Sequence, residues 1–256
     1  MPQPVARTEI TREEWQVEQL RCTAFLLPQT VISADEVFHA IAGTDAITRA
    51  ENRQAMTSSA GGTLDTIKMD VVCVPGRIDV LFQPGDDVPS GAPVVGAYLA
   101  SKELFVDVVG RWLRLRPPLQ RLALGVLAVT DVTDRPEGYR LLQKLLPSVQ
   151  LDPDHSSDLI YQINRPRLVK VAEDFRVPIN RLSRWGVMLS MVHTLHIHSQ
   201  ETIAQTQPVL TRSRCRVDLD LNSDTTVTEL PAQHLDTLWT ALSGLADEIL
   251  FKGDLP

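Results

Sequence analysis

The segment Arg121–Val132 reads RLALGVLAVTDV, and it constrains the chain more than any other. Apolar residues occupy both alternating sets of positions, so a strand here must be covered on both faces. The uninterrupted run Leu122–Val129 is far shorter than the ~20 residues a bilayer-spanning helix needs. It reads as a central strand of a sheet. Arg214–Leu221 has a contrasting pattern. Cys215, Val217, Leu219 and Leu221 alternate with Arg216, Asp218 and Asp220, the signature of a strand with one buried face.

Other segments fit around these two strands. Trp15–Leu27 alternates as a strand. Ser33 with Glu36 forms a capping-box pattern ahead of Val37, Phe38 and Ile41. Residues 51–63 are small and polar, with a turn expected at Gly61-Gly62. Leu64–Val74 and Arg77–Phe82 flank Pro75-Gly76, the clearest hairpin in the chain. Leu104, Phe105, Val108, Val109, Trp112 and Leu115 mark an amphipathic helix over 101–115, ended by Pro117-Pro118. Asp134 with Glu137 repeats the capping box, with Pro136 in the first turn. Strands are then predicted over Asp158–Asn164, Trp185–His196 and Arg214–Leu221. Leu235, Leu238, Trp239, Leu242, Leu245, Ile249 and Leu250 predict a closing helix within 232–251.

The expected fold is α+β: a largely antiparallel, curved sheet with helices packed on one face. A polar tail over 1–14 precedes two halves, 15–118 and 119–256, which share the order strand, helix, strands, helix. Phe38 and Tyr139 sit at equal spacing from the two caps, as an internal duplication would place them. The second sheet face must be covered as well, or serve as an interface.

At 256 residues and 43% hydrophobic content, the chain is long and apolar enough to bury a core without disulfide or metal staples. Cys22, Cys73 and Cys215 are odd in number and lie in strands, so reduced, buried thiols and a cytoplasmic location are expected. Met1-Pro2-Gln3-Pro4 lacks the basic and apolar regions of a signal peptide. A net charge of -7 argues against wholesale nucleic-acid binding. No phosphate-binding loop, dinucleotide fingerprint, nucleophile elbow or Cys-x-x-Cys occurs, so no cofactor is expected.

Three constellations carry candidate chemistry. Arg165, Arg167, Lys170, Arg176, Arg181 and Arg184 cluster where the only acids are Glu173 and Asp174. Asn164-Arg165-Pro166-Arg167 spaces two guanidinium groups by one residue, which suits a carboxylate or phosphate. Tyr161 and Trp185 flank the cluster and could stack on a base or anchor a protein partner. The bland alternative is a connector whose arginines pair with carboxylates of this acidic chain. His196 and His198 share one face of a strand and, with Asp218 and Asp220, could ligate a metal. Asp218, Asp220, Asn222, Asp224 and Glu229 match five positions of a calcium loop, but Ser223 replaces the required glycine.

The run Ser156-Ser157-Asp158-Leu159-Ile160-Tyr161-Gln162-Ile163-Asn164-Arg165-Pro166-Arg167, with Arg121-Leu122-Ala123-Leu124-Gly125 and Asp218-Leu219-Asp220, resembles a sporadically distributed family of uncharacterised bacterial proteins of about this length. The resemblance lies mainly in the second half. It implies a bacterial cytosolic protein from defence-associated or mobile gene neighbourhoods, and no activity. The expected function is a non-catalytic accessory protein docking a protein partner, or a further copy of itself, through Asn164, Arg165, Arg167, Arg181, Arg184 and Trp185. The alternatives are a metal-dependent hydrolase or nuclease using His196, His198, Asp218 and Asp220, and a nucleic-acid-binding protein.

Overall fold

The computed structural model describes residues 14–28, 30, 32–85, 93–196 and 205–255, with backbone only over 190–196 and 205–211. The first half runs β1 (Gln16–Leu26), α1 (Ala34–Ala42), β2 (Thr48–Asn52), β3 (Thr57–Leu64), β4 (Ile67–Val74), β5 (Arg77–Gln83), a short β6 (Gly96–Ala97) and α2 (Tyr98–Leu113). The second runs β7 (Leu119–Val132), α3 (Arg135–Leu145), β8 (Ile160–Asn164), β9 (Arg167–Lys170), β10 (Arg176–His196), β11 (Gln205–Ser223), a 3-10 turn at Ala232–His234 and α4 (Leu235–Lys252). All strands join one antiparallel sheet in the order β2-β3-β4-β5-β1-β7-β11-β10-β8.

The two halves repeat one topology. β1 opens the first half and pairs with its last long strand, β5; β7 opens the second and pairs with its last strand, β11. β1 and β7 then pair with each other at the centre, with Leu20 opposite Val126 and Cys22 opposite Leu124. The doubly apolar strand therefore occupies the middle, as its pattern requires.

Opposed residues across this sheet define one helix-covered face: Met69, Phe82, Leu20, Val126, Leu219 and Ser183 fall on it. All four described helices pack there. Phe105 of α2 meets Phe82 edge-on at 4.8 Å, and α4 joins α2 through Trp239 and a Lys102–Asp247 ion pair at 2.7 Å. Four tryptophans, Trp15, Trp112, Trp185 and Trp239, are essentially fully buried.

The two caps form with local variations. Ser33 Oγ accepts from the Asp35 amide. Asp134 Oδ1 accepts from the Glu137 amide at 2.8 Å, while Glu137 returns to the amide and hydroxyl of Thr133, one residue before the cap. Phe38 and Tyr139 are both 1% exposed.

Two expectations are corrected, and one strand end holds. Gly61-Gly62 is no turn: both glycines lie within β3, and the chain reverses earlier, over residues 53–56. A Cβ on Gly62 would stand 2.7 Å from Phe38 Cζ, so the glycine exists to admit the helix. β8 ends at Asn164, as its pattern predicts, and Arg165-Pro166 separates it from β9. β8 and β9 face β10 in one continuous register, from Asn164 opposite Leu182 to Arg167 opposite Ile179. The calcium-loop match fails because Asp218, Asp220 and Asn222 stay in extended β11. Same-face side chains there stand roughly 7 Å apart along the strand, whereas calcium ligands converge within about 2.5 Å of one ion.

β10 and β11 continue pairing beyond their neighbours. Their ladder runs from Ser190 opposite Arg212 to His196 opposite Gln205, past the last residues joined to β7 and β8. No described helix is long and apolar enough to cross a membrane.

Candidate functional site

Because the described helices share one face, the opposite face of the sheet has no helical cover among the described residues. Its composition follows from β11. The alternation that sends Cys215, Val217, Leu219 and Leu221 inward sends Arg216, Asp218 and Asp220 outward. Cross-strand register sets their neighbours. One row joins Arg21 on β1, Gly125 on β7 and Asp220 on β11. The next joins Gln19, Leu127, Asp218, Arg184 and Gln162. These rows line a depression of about 330 Å³. A second depression of about 310 Å³ shares Arg184, Arg216 and Asp218 with it and extends toward Ile160 and Met188.

Gly125 shapes the centre. It is the only residue of the Leu122–Val129 run without a side chain, and Arg21 lies against it: a Cβ there would meet Arg21 Nε at 3.3 Å. Arg21 Nε is buried and has no hydrogen-bond partner among the described residues. Among those residues, no carboxylate pairs with Arg21, Arg184 or Arg216; the Arg216 guanidinium contacts only the Met188 sulfur, at 3.7 Å. Asp220 accepts from Asn222 at 2.9 Å, and Asp218 is exposed opposite Arg184 without an ion pair. Charges of both signs thus line one depression, with no ion pair between them among the described residues.

The arginines expected to bind a partner divide between the two faces. Arg184 lies in the depression. Arg165 donates from Nε and Nη2 to Asp254, which also accepts from the Tyr161 hydroxyl. Arg167 makes a two-pronged bridge to Glu248 at 2.7 and 2.9 Å, and Arg181, 3% exposed, stands 3.7 Å from the same carboxylate. The expected fork at Arg165 and Arg167 closes on carboxylates of the chain's own C-terminal helix and tail. Asn164 turns to the Arg181 amide and the Asn180 side chain. Trp185 is buried on the helix-covered face.

This clamp explains the local electrostatics. The Arg165 guanidinium, foremost, holds the Asp254 carboxyl below its ordinary range, and Arg167 does the same for Glu248. Arg165 and Arg167 are raised in return, chiefly by those same hydrogen bonds. Burial lowers Arg181, and the adjacent Arg167 adds to it.

For the metal reading, Asp218 and Asp220 share the open face. The side chain of His196 and the whole of His198 lie outside the described residues. Among those described, no group of three or more His, Cys, Asp or Glu residues is arranged to hold a metal ion. Cys22, Cys73 and Cys215 are buried and form no disulfide among the described residues; burial pushes the Cys73 thiol up to about 11 and Cys22 higher still. None is poised as a nucleophile. A third depression, about 560 Å³, lies between α1 and the β2–β3 hairpin, but its Arg49 and Asp35 pair with each other.

Sequence reasoning reached Arg184, Asp218 and Asp220 but passed over Arg21, Arg216 and Gly125. Two local signals mark them: an arginine between apolar Leu20 and Cys22, and a glycine inside the longest apolar run. No family model matches the chain, and no curated protein is similar to it.

Proposed function

We propose that the chain is a non-catalytic binding protein, an accessory subunit or regulator of a bacterial cytosolic system, and that the helix-free face of its sheet docks a protein partner. One observation carries this reading. Arg21, Arg184 and Arg216 converge on a depression without a carboxylate partner among the described residues. Arginine on a surface of this kind is a frequent anchor of protein interfaces. The place in a defence or mobile-element system rests on the sequence resemblance alone.

The test compares two double variants in quantitative partner capture. Arg184→Glu with Arg216→Glu reverses charge in the depression and is expected to weaken capture by 10-fold or more. Arg165→Glu with Arg167→Glu breaks the internal clamp and is expected to lower stability while the surviving folded protein still binds. Equal capture by the first variant and wild type overturns the proposal. A salt titration separates nucleic acid from protein, since displaced counterions make nucleic-acid affinity fall steeply with salt. Asp218 and Asp220, set among the arginines, oppose a phosphate backbone and favour the protein reading.

A further inference from the structure

We infer that the partner seated on the helix-free face is a second copy of this chain, so that two sheets stack face to face about a twofold axis. The inference rests on reading this face as the docking surface, and it names the occupant.

Three observations converge on a like partner. The first is the mixture of charge. Arg21, Arg184 and Arg216 stand beside Asp218 and Asp220, and no ion pair joins them. A purely acidic partner would satisfy the arginines and strand the aspartates, and a polyanion would be repelled by them. A patch carrying both signs is complementary to itself under twofold rotation, because each copy presents what the other lacks.

The second is the apolar content of the same face. Leu127 of β7, Leu81 of β5 and Leu182 of β10 are partly exposed on it, whereas Ala123 and Val129 of β7 are already buried within the chain. A central strand with apolar residues on both faces is characteristic of sheets covered on both sides. Here the described helices cover one side only.

The third is extent. Nine strands at about 4.8 Å spacing make a face roughly 40 Å wide, ample for the ~800 Å² that each partner contributes to a stable dimer.

Sedimentation equilibrium of the full chain tests this on charged side chains that form no ion pair among the described residues, although Asp220 accepts from Asn222 and Arg216 donates to the Met188 sulfur. Three samples are needed: wild type, a variant carrying Arg184→Glu and Arg216→Glu, and a variant carrying Asp218→Arg and Asp220→Arg. Circular dichroism and thermal melting confirm that each is folded. Wild type is expected to be a dimer. Each variant alone is expected to dissociate about 100-fold more readily, through like charges brought face to face. An equimolar mixture of the two variants is expected to recover the dimer mass, because one is now mainly acidic and the other mainly basic at the contact. A wild type that stays monomeric into the high micromolar range overturns the inference. So does a dimer that both variants leave unchanged, which would place the contact elsewhere. If wild type is monomeric yet capture still depends on Arg184 and Arg216, the docking face stands and its partner is a different protein. If capture is also indifferent to them, both readings fall.

Discussion

A single missing side chain decides how closely an element can approach, and the two halves use this device on opposite partners. In the first half the glycine is on the strand: Gly62 of β3 lies beneath Phe38 of α1. In the second it is on the helix: Gly138 of α3 lies against Val187 of β10, 2.7 Å from where its Cβ would stand. Neither contact leaves room for a methyl group without displacing a packed side chain. Gly62→Ala is therefore expected to destabilise the fold by about 1–3 kcal/mol through overpacking, read as a lower midpoint in urea with unchanged slope. An unaltered midpoint would show that Phe38 can step aside. Gly61-Gly62 was legible only as a turn signal, because glycine marks reversals and close approaches alike. Which one applies depends on Phe38, and that contact is made only in the folded chain.

At the scale of elements, alternation and apolar runs located several of the strands. β7 and the β4–β5 hairpin stand where their patterns place them, whereas β11 begins at Gln205, well ahead of the alternating Arg214–Leu221. β2 and β3 occupy a stretch whose small polar residues show no strand pattern. β10 is longer than expected because Pro178, Asn180 and Arg181 interrupt its apolar pattern, although each occupies a ladder position. That arginines of this stretch pair with the chain's own carboxylates was one of the two readings of the sequence, and Arg165 and Arg167 bear it out. Which carboxylates was not legible, since Glu248 and Asp254 come from the far end of the chain. That clamp has a consequence with pH. Both carboxyls are depressed in the folded state, so their contribution is complete above the ordinary carboxylate range and is lost as pH falls through their folded values. Asp254→Asn is expected to cost about 2 kcal/mol at neutral pH, the worth of hydrogen bonds to a charged group. The gap between variant and wild type should narrow below about pH 4. Parallel melting curves that keep their separation down to pH 2 would contradict this account.

At the scale of the molecule, each half runs strand, helix, strands and helix, and β1 and β7, which open them, form the central pair. The first half carries β2 as an additional edge strand, and in the second β8 and β9 share one edge line on β10. Placing every described helix on one side leaves the other to Arg21, Arg184, Arg216, Asp218 and Asp220. Arg21 belongs to the first half and the rest to the second, so only the antiparallel joining of the halves assembles the site. No local motif could have announced it. The measurement that tests this most directly is hydroxyl-radical footprinting of the full chain from dilute to concentrated solution. Met188 and Leu182 on the open face should lose labelling as the partner copy seats. Leu115, exposed at the end of α2 and away from the depression, should keep its own. Protection of Leu115 with Met188 and Leu182 unchanged would place the contact away from the open face and contradict the account.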